Sequence, residues 1–592
     1  MTISRREFMH LMGLAGMAGM LPGSLHATAK QPRDIYETPA FGNVCLMHIT
    51  DCHAQLNPIY FREPNVNLGI GAALGNPPHL VGNALLQQFG IEPGGRAAHA
   101  FSYLDFATAA NTYGKVGGFA HLASLVKRLR AERGDGNSLL LDGGDTWQGS
   151  GTAYWTRGMD MVQACNLLGV DIMTGHWEFT YQDSEVIDNI GAFNGEFVAQ
   201  NVKVTEEALF DYKFSEFDGF DEDRGLAFKP YTVRSVNGVR VAVIGQAFPY
   251  TPIANPQRFI PDWTFGIRDE QMQAVVDRVR GEEKPDLVVV LSHNGMDVDL
   301  KMASRVTGID VIFGGHTHDG MPAPSVVENR SGKTLVTNAG SNGKFLGVLD
   351  LDVRNGKLQG YQYRLLPVFS NLLPADAEMQ AHIDKVRAPY LEKLQEPLAV
   401  AGETLYRRGN FNGTFDQVIC DALTTVNDAQ ISLSPGFRWG TTVIPGQTIT
   451  MEHVMDQTCI TYPETYRREM SGADIKAILE DVCDNLFNPD PYFQQGGDMV
   501  RLGGLDYVCD PRQSFGKRIS SMSLDDGTPI DAGKQYMVSG WATVGSQSPG
   551  RPVWDVVADY LRDQKQVKLK KLNTPKLVGM EGNPGLADYP AS

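Results

Sequence analysis

"IDVIFGGHTH", residues 309–318, runs an apolar, β-branched stretch into two glycines and then presents His316 and His318 one residue apart. Such a stretch reads as a buried strand, and the residues just beyond it are the ones a strand can aim at a ligand. The arrangement recurs along the chain. Asp51 and His53 follow "NVCLMHIT", Asp145 follows "SLLLDGG", His176 follows "VDIMTG", and His293 follows "DLVVVLS". "EFVAQN" and "VRVAVIG" add further strands, while "GGFAHLASLVKRLRAE" and "RDEQMQAVVDRVRGEE" carry helical periodicity. Strands alternating with helices predict an α/β domain. Ligands of open α/β sheets sit outside the carboxyl ends of the strands, so five separate segments are expected to meet in one crevice.

Imidazoles and carboxylates together are ligands for divalent first-row ions, and one aspartate can bridge two ions ~3.5–4 Å apart. Any one of these histidines, taken alone, reads better as a hydrogen-bonded core or turn residue. Five of the chain's 13 histidines and two aspartates at strand ends point jointly to a dinuclear centre.

Length and composition set the frame. A chain of 592 residues, 42% of them hydrophobic, is long enough for more than one core, because single cores stop growing near ~250–300 residues. The formal charge of -17 argues against a nucleic-acid binder, which carries a basic face, and leaves a small or tethered anion only a local positive site. Seven cysteines without C-x-x-C spacing argue against a disulfide framework or structural zinc and for buried free thiols.

Four segments follow. Residues 1–29 carry Ser4-Arg5-Arg6-Glu7-Phe8, a modestly apolar run and a small-x-small site at Ala27-Thr28-Ala29, the pattern of a twin-arginine export signal. Residues 30–370 hold the α/β pattern, interrupted at 54–112 by a Pro-, Gly- and Asn-rich stretch that reads as a long loop or insertion. Residues 371–399 are a charged helical connector. Residues 400–592 mix helices ("FDQVICDALTTVN", "GADIKAILEDVCDNL") with strands and turns, giving a second, α+β domain. No later stretch has the ~20 uninterrupted apolar residues of a membrane span.

In order, D-x-H, GGD, G-x-x-E, an S-H-N turn and GGHTH resemble the calcineurin-like metallophosphoesterases, in the secreted 5'-nucleotidase branch with its separate C-terminal substrate domain. The resemblance implies a four-layer αββα sandwich followed by a 5'-nucleotidase-like domain. It also implies that Asp51, His53, Asp145 and His318 hold one metal and Asp145, His176, His293 and His316 the other. Two positions depart from the nucleotidase pattern. Where it has Gly-Asn-His-Glu this chain has Gly175-His176-Trp177-Glu178, and where it commonly has Gly-His-Ser-Gln this chain has Gly315-His316-Thr317-His318. The usual metal-binding Asn is thus a His, and the usual catalytic His is Trp177.

An alcohol leaves poorly without a proton donor, since its pKa is close to that of water, about 15.7. A thiol, with a pKa of about 8.5, leaves as the anion. Trp177 in place of the acid is therefore acceptable when the leaving atom is sulfur, and it would serve as an apolar wall; a plain core aromatic is the alternative. Glu178 is expected to orient a ligand or cap a helix.

"HITDCHAQLNPIYFREPNVNLG" and "TGHWEFTY" are similar to the thiosulfohydrolases of the bacterial Sox pathway. That resemblance implies hydrolysis of the terminal sulfonate of a cysteine-bound thiosulfonate on the SoxYZ carrier, by hydroxide held at two manganese ions, with release of sulfate. Zinc and iron fit the same donor set. A periplasmic monomer that contacts neither nucleic acid nor membrane is expected. From the C-terminal half, Arg438 in "SPGFRWG" is the first choice for binding the sulfonate, because a guanidinium grips two oxygens at once. Arg408 and Asn412 are further candidates, and Tyr462 and Tyr466 read as packing residues. A narrow channel between the halves is expected, with 54–112 at its mouth. The rival readings are a periplasmic 5'-nucleotidase or nucleotide-sugar hydrolase, and a non-catalytic metal-binding module on the same fold.

Overall fold

A computed structural model describes residues 35–134 and 136–586; the twin-arginine segment lies outside them. The chain divides into two units, Met1–Pro39 and Ala40–Ser592. The described part of the first, residues 35–39, is a turn and a short irregular stretch. Everything below concerns the second.

Two six-stranded sheets are built from residues 44–367. In the first, Val44–Ile49 lies between Phe345–Arg354, to which it is antiparallel, and Ser138–Asp142, to which it is parallel. Ile172–Met173 and then Glu196–Phe197 continue the parallel run. In the second, Val239–Gln246, Leu287–Ser292, Val311–Gly314 and Gly332–Asn338 are parallel neighbours. Antiparallel strands close its edges, Tyr231–Val236 at one and Ser325–Asn329 at the other.

Alternation along each strand makes the layers. Leu46, Leu139, Leu141, Leu349 and Leu351 of the first sheet meet Val241, Val243, Val289, Leu291, Val311 and Phe313 of the second in one buried cluster. The intervening residues of the second sheet, Ala242, Ile244, Val288, Val290 and Ile312, turn outward onto the helices Asp269–Arg278 and Met296–Arg305. On the outer face of the first sheet lies Phe119–Arg133, which packs with Met159–Leu168 and Ala377–Arg387. The expected αββα sandwich is the fold observed. Parallel sheets covered on both faces explain why these strands read as continuous apolar runs.

From Pro397 onward three smaller sheets follow, the largest ordering Thr465–Ser471, Gln535–Trp541, Ile431–Ser434 and Arg501–Gly503. Thr414–Val426, Met451–Thr458, Gly472–Phe487 and Val553–Gln564 are its main helices. The stretch at 54–112 is less irregular than its composition predicts, since it contains the helices Gly82–Phe89, Arg96–Phe101 and Phe106–Tyr113. All seven cysteines are buried and unpaired. No helix among the described residues is long and apolar enough to cross a membrane.

One ion pair fastens the outer helix to the first sheet. Arg133, at the end of Phe119–Arg133, donates from Nε (3.2 Å) and Nη2 (2.8 Å) to the two carboxylate oxygens of Asp350, and both side chains are almost wholly buried. Arg133→Ala would leave Asp350 charged and unpaired in the interior, a loss of about 3–5 kcal/mol. A urea titration should show the midpoint fall accordingly, and an unchanged midpoint would remove this pair from the account.

Candidate metal centre

The carboxyl ends of both sheets open toward the same place, and short hydrogen bonds lace the strand-end loops together. Asp51 N donates to Gly144 O (2.8 Å), His53 N to Asp145 O (2.8 Å), His293 N to Gln246 O (2.8 Å) and Asn342 N to Asp51 O (2.8 Å). Two groups of side chains result, Asp51, His53, Asp145 and His318, and Asp145, His176, His293 and His316, each with its ligand-type atoms within 4.8 Å of one another. Asp145 belongs to both. The structure brings together the seven side chains named from the sequence, in these two groups.

The backbone is bent to do this. Asp51, His53, Asp145, His316 and His318 all have φ between +45° and +72°, a left-handed conformation that costs a non-glycine residue roughly 1–3 kcal/mol and persists where the surroundings enforce it. The glycines before Asp145 and His316 have a steric reason. A Cβ at Gly144, itself at φ +94°, would stand 3.0 Å from the Gly175 Cα, and one at Gly315 would stand 2.5 Å from Thr50 Oγ1.

Hydrogen bonds aim the ligand atoms. His293 sets its Nδ1 2.6 Å from Gly143 O, which makes that nitrogen the donor and turns Nε2 toward Asp145 Oδ2 at 3.0 Å. Asp51 accepts from Thr50 Oγ1 (2.6 Å) and from His316 N (3.0 Å). Trp177 N donates to Asp145 Oδ1 at 2.6 Å. Glu178 organises the rest. Its buried carboxylate accepts from the N–H groups of Asp145 (3.1 Å), Thr146 (2.8 Å), Trp147 (3.1 Å) and His176 (2.9 Å), so one side chain holds the loops of two candidate ligands.

The electrostatics suit cations. Burial holds His53 down to about 4 and lowers His176. His316 and His318 lie well below the usual imidazole range through burial, with Arg438 adding to both and Arg408 to His318. Neutral imidazoles are the ligand form. Asp51 is raised to about 6 by burial. Burial opposes charge on His293 too, yet Asp145 and Asp51 outweigh it and lift this ring to about 10. Two buried carboxylates thus demand positive charge where the imidazoles converge. His176 Nε2 is buried without a hydrogen-bond partner, and His53 Nε2 and His318 Nε2 face each other at 3.1 Å. The donor set, these nitrogens and the charge balance all fit a pair of divalent ions.

Trp177 does more than line a wall. It is buried within the core cluster formed otherwise by the C-terminal half, edge-on to Trp439 (5.1 Å, 78°) and Phe437 (5.4 Å, 89°) and 4.9 Å from the His176 ring. Phe248 stacks on His316 at 4.0 Å. Neither Phe248 nor the pair Phe437 and Trp439 was singled out from the sequence. Phe248 follows the end of Val239–Gln246, so the strand-end rule would have found it. The other two flank Arg438 and take their importance from packing across the two halves.

A cleft leads to His316 and is lined in part by Thr317, Asp319, Arg408, Arg438 and His79. Arg438 donates to Gly497 O (2.9 Å) and stands 3.7 Å from Asp498 Oδ1. Arg408 reaches Thr317 O at 3.5 Å, and its Nε is unpartnered. Asn412 is used elsewhere, its amide bonding both Leu502 O (2.8 Å) and Leu502 N (3.0 Å); its neighbour Asn410 lines the cleft. Tyr462 is buried and bonds Ala254 O, a packing role as expected.

Glu178→Gln keeps the shape and removes the charge that four N–H groups converge on. Metal affinity should fall about 10- to 100-fold, read by metal analysis after dialysis against graded chelator. Unaltered affinity would mean that the loops hold their positions without this carboxylate.

A family model for the 5'-nucleotidase C-terminal domain matches residues 397–553. Among solved structures, the sulfate thiohydrolase SoxB of Thermus thermophilus superposes with a TM-score of 0.84 at 36% identity, covering 92% of this chain and 98% of that one. The 5'-nucleotidase of Rattus norvegicus is 29% identical over 67% of this chain and 70% of its own length. The trifunctional nucleotide phosphoesterase YfkN of Bacillus subtilis is 26% identical over 74% of this chain, a match that spans 32% of that longer protein. With the αββα sandwich and seven converging ligand-type side chains in place, these likenesses identify the chain as a metal-dependent hydrolase of the 5'-nucleotidase branch of the metallophosphoesterase superfamily.

Proposed function

We propose that this protein is an exported thiosulfohydrolase that removes the terminal sulfonate of a cysteine-bound thiosulfonate on a SoxYZ-type carrier as sulfate. The observation that carries the reading is Trp177. It occupies the position of the nucleotidase pattern's catalytic His, and its ring is sealed against Phe437 and Trp439, so this turn offers the leaving group no proton. The likeness to SoxB, at higher identity than the nucleotidase matches reported above, supports the same choice.

Asp51, His53, Asp145 and His318 would hold one ion and Asp145, His176, His293 and His316 the other, manganese being the proposed metal. Such a pair supplies Lewis acidity toward the sulfonate oxygens and brings water towards ionisation near neutral pH. The chain's own residues do the rest. Arg438 and Arg408 carry positive charge to the cleft, where a sulfonate would replace the weak contact of Arg438 to His316 O (3.4 Å) and that of Arg408 to Thr317 O. Trp177, Phe437 and Trp439 keep bulk water off one side. Oxygen from water bonds to the terminal sulfur, the S–S bond breaks, its electron pair leaves on the persulfide sulfur, and the protons pass to solvent. Because a sulfur anion is a competent leaving group, no side chain has to protonate it.

Sulfate release from a carrier bearing cysteine S-thiosulfonate, measured beside phosphate release from AMP with manganese restored, tests the reading. Rapid sulfate with negligible phosphate is the expected result, and phosphate without sulfate would return the chain to nucleotide hydrolysis. Arg438→Ala should lower kcat/KM for sulfate release about 10- to 100-fold, the worth of a charged hydrogen bond of about 1.5–3 kcal/mol.

A further inference from the structure

Cys483 and Cys509 bring their sulfurs to 3.8 Å of one another in the interior of the C-terminal half. Among the described residues this is the one pair of thiols in hydrogen-bonding contact. Cys483 lies in the helix Gly472–Phe487, and Cys509 ends the strand Leu505–Cys509. The contact thus joins two elements of one buried cluster through residues 26 apart in the chain.

A polar network holds the backbone on both sides of the sulfurs. Glu480, one turn before Cys483, accepts from the N–H groups of Gly516 (2.9 Å), Arg518 (3.2 Å) and Ile519 (2.8 Å). Arg518 reaches back to the helix, pairing with Asp484 (2.5 Å) and donating to Phe487 O (3.2 Å). Cys509 is paired with Ile519 across its hairpin, and its carbonyl accepts from Val578 N (3.0 Å). Residues 480, 483, 484 and 487 share one helix face, so the two thiols meet in the middle of these fastenings. A disulfide needs its sulfurs about 2 Å apart, and rotation of the two side chains closes that gap while the backbone stays in place. The contact with Cys483 and burial push the Cys509 thiol up, which keeps it protonated and unreactive while it is covered. The way in is the turn that follows Cys509, where residues 512–517 are all exposed. Such a turn opens locally without unfolding the domain.

We infer that Cys483 and Cys509 are a modification site, oxidised to a disulfide once the chain has left the reducing cytoplasm. Export is part of the function proposed above; the sulfohydrolase reaction is not needed. The oxidant is itself a disulfide, carried by a protein or a small molecule. One cysteine gives up its proton and attacks it, forming a mixed disulfide and expelling one thiolate. The other cysteine, deprotonated in turn, attacks the mixed disulfide; the bond between Cys483 and Cys509 forms and a second thiolate leaves. Two cysteine thiols are oxidised, one disulfide is reduced, and the two protons end on the departing thiols. The bond staples the helix to the hairpin. Asn485, Leu486 and Phe487, in the last turn of that helix, line the cleft that leads to His316, so the staple sits just behind a wall of the site.

The full chain, purified from a reducing cytoplasm and loaded with manganese, would be incubated with glutathione disulfide, quenched in denaturant with an alkylating agent, and digested without reduction. Mass spectrometry should find two peptides joined through Cys483 and Cys509 and the other cysteines alkylated, a loss of two of the seven thiols. Chain recovered from the periplasm should carry the bond without treatment. Seven alkylated cysteines after glutathione disulfide, a bond between other cysteines, or a reduced pair in periplasmic chain would each overturn the inference. Fractionation reports on export separately, since a chain retained in the cytoplasm yet cross-linked by glutathione disulfide contradicts the export reading alone. The staple also removes freedom from the unfolded chain, so reduction of the oxidised wild type should lower Tm by about 3 °C. Cys483→Ala should abolish that dependence on reductant. A wild-type Tm indifferent to reduction would mean that the bond, if formed, fastens nothing, and would overturn the staple.

Discussion

Asp145 has a carboxylate that two sets of ligands share. Its oxygens lie 3.0 Å from His293 Nε2, 3.3 Å from His176 Nδ1 and 3.7 Å from His53 Nε2, and a backbone N–H from Trp177 fixes the carboxylate between them. Holding one buried anion at the junction of four loops forces much of what surrounds it. The two sheets must present their carboxyl ends at the same edge, which the shared core between them achieves. Five ligand residues must adopt left-handed backbone, and the adjoining glycines must leave room for it. Glu178 then pins the Asp145 and His176 loops to one another. The strain and the unmet demand for positive charge have one common resolution, a pair of cations at the point of convergence.

The C-terminal half completes this centre. Trp177 leaves the α/β half and inserts into the C-terminal core, which couples the position of the ligand beside it to the packing of the two halves. Phe437, Arg438 and Trp439, three consecutive residues, deliver an apolar wall on either side of a cation. Behind Arg438 runs a buried chain of alternating charge: Asp498 meets Arg501 (3.1 Å), Arg501 meets Asp416 (3.3 Å) and Asp416 meets Arg407 (2.7 Å). Arg408 and Arg438 reach the cleft beside Asp297, Asp319 and Asp498, so the positive charge there is confined to two guanidinium groups in a chain whose formal charge is -17.

The strand-end motifs were legible in the sequence because a buried parallel strand announces itself as an apolar run and its ligands follow within four residues. Helices with clear periodicity, Phe119–Arg133 and Thr414–Val426 among them, were legible for the same reason. The helices within 54–112 were not, since proline and glycine dilute their local signal and tertiary packing decides them. Glu178 was visible as a neighbour of the site, but its four N–H partners come from two loops separated by about thirty residues, and no local pattern encodes that. Asn412 drew attention through its motif, whereas its amide is spent on Leu502 and Asn410 faces the cleft. Gly496 looked like one turn glycine among 63 in the chain; only the fold sets it against His316.

The most direct measurement is metal stoichiometry, by elemental analysis of the full chain and of Asp145→Ala after both are loaded with manganese and dialysed. The account predicts two equivalents bound by the wild type and loss of both in the variant, because neither set of ligands is complete without that carboxylate. Retention of one tightly held equivalent by Asp145→Ala, or a wild type that takes up only one, would contradict the shared-carboxylate centre on which the account is built.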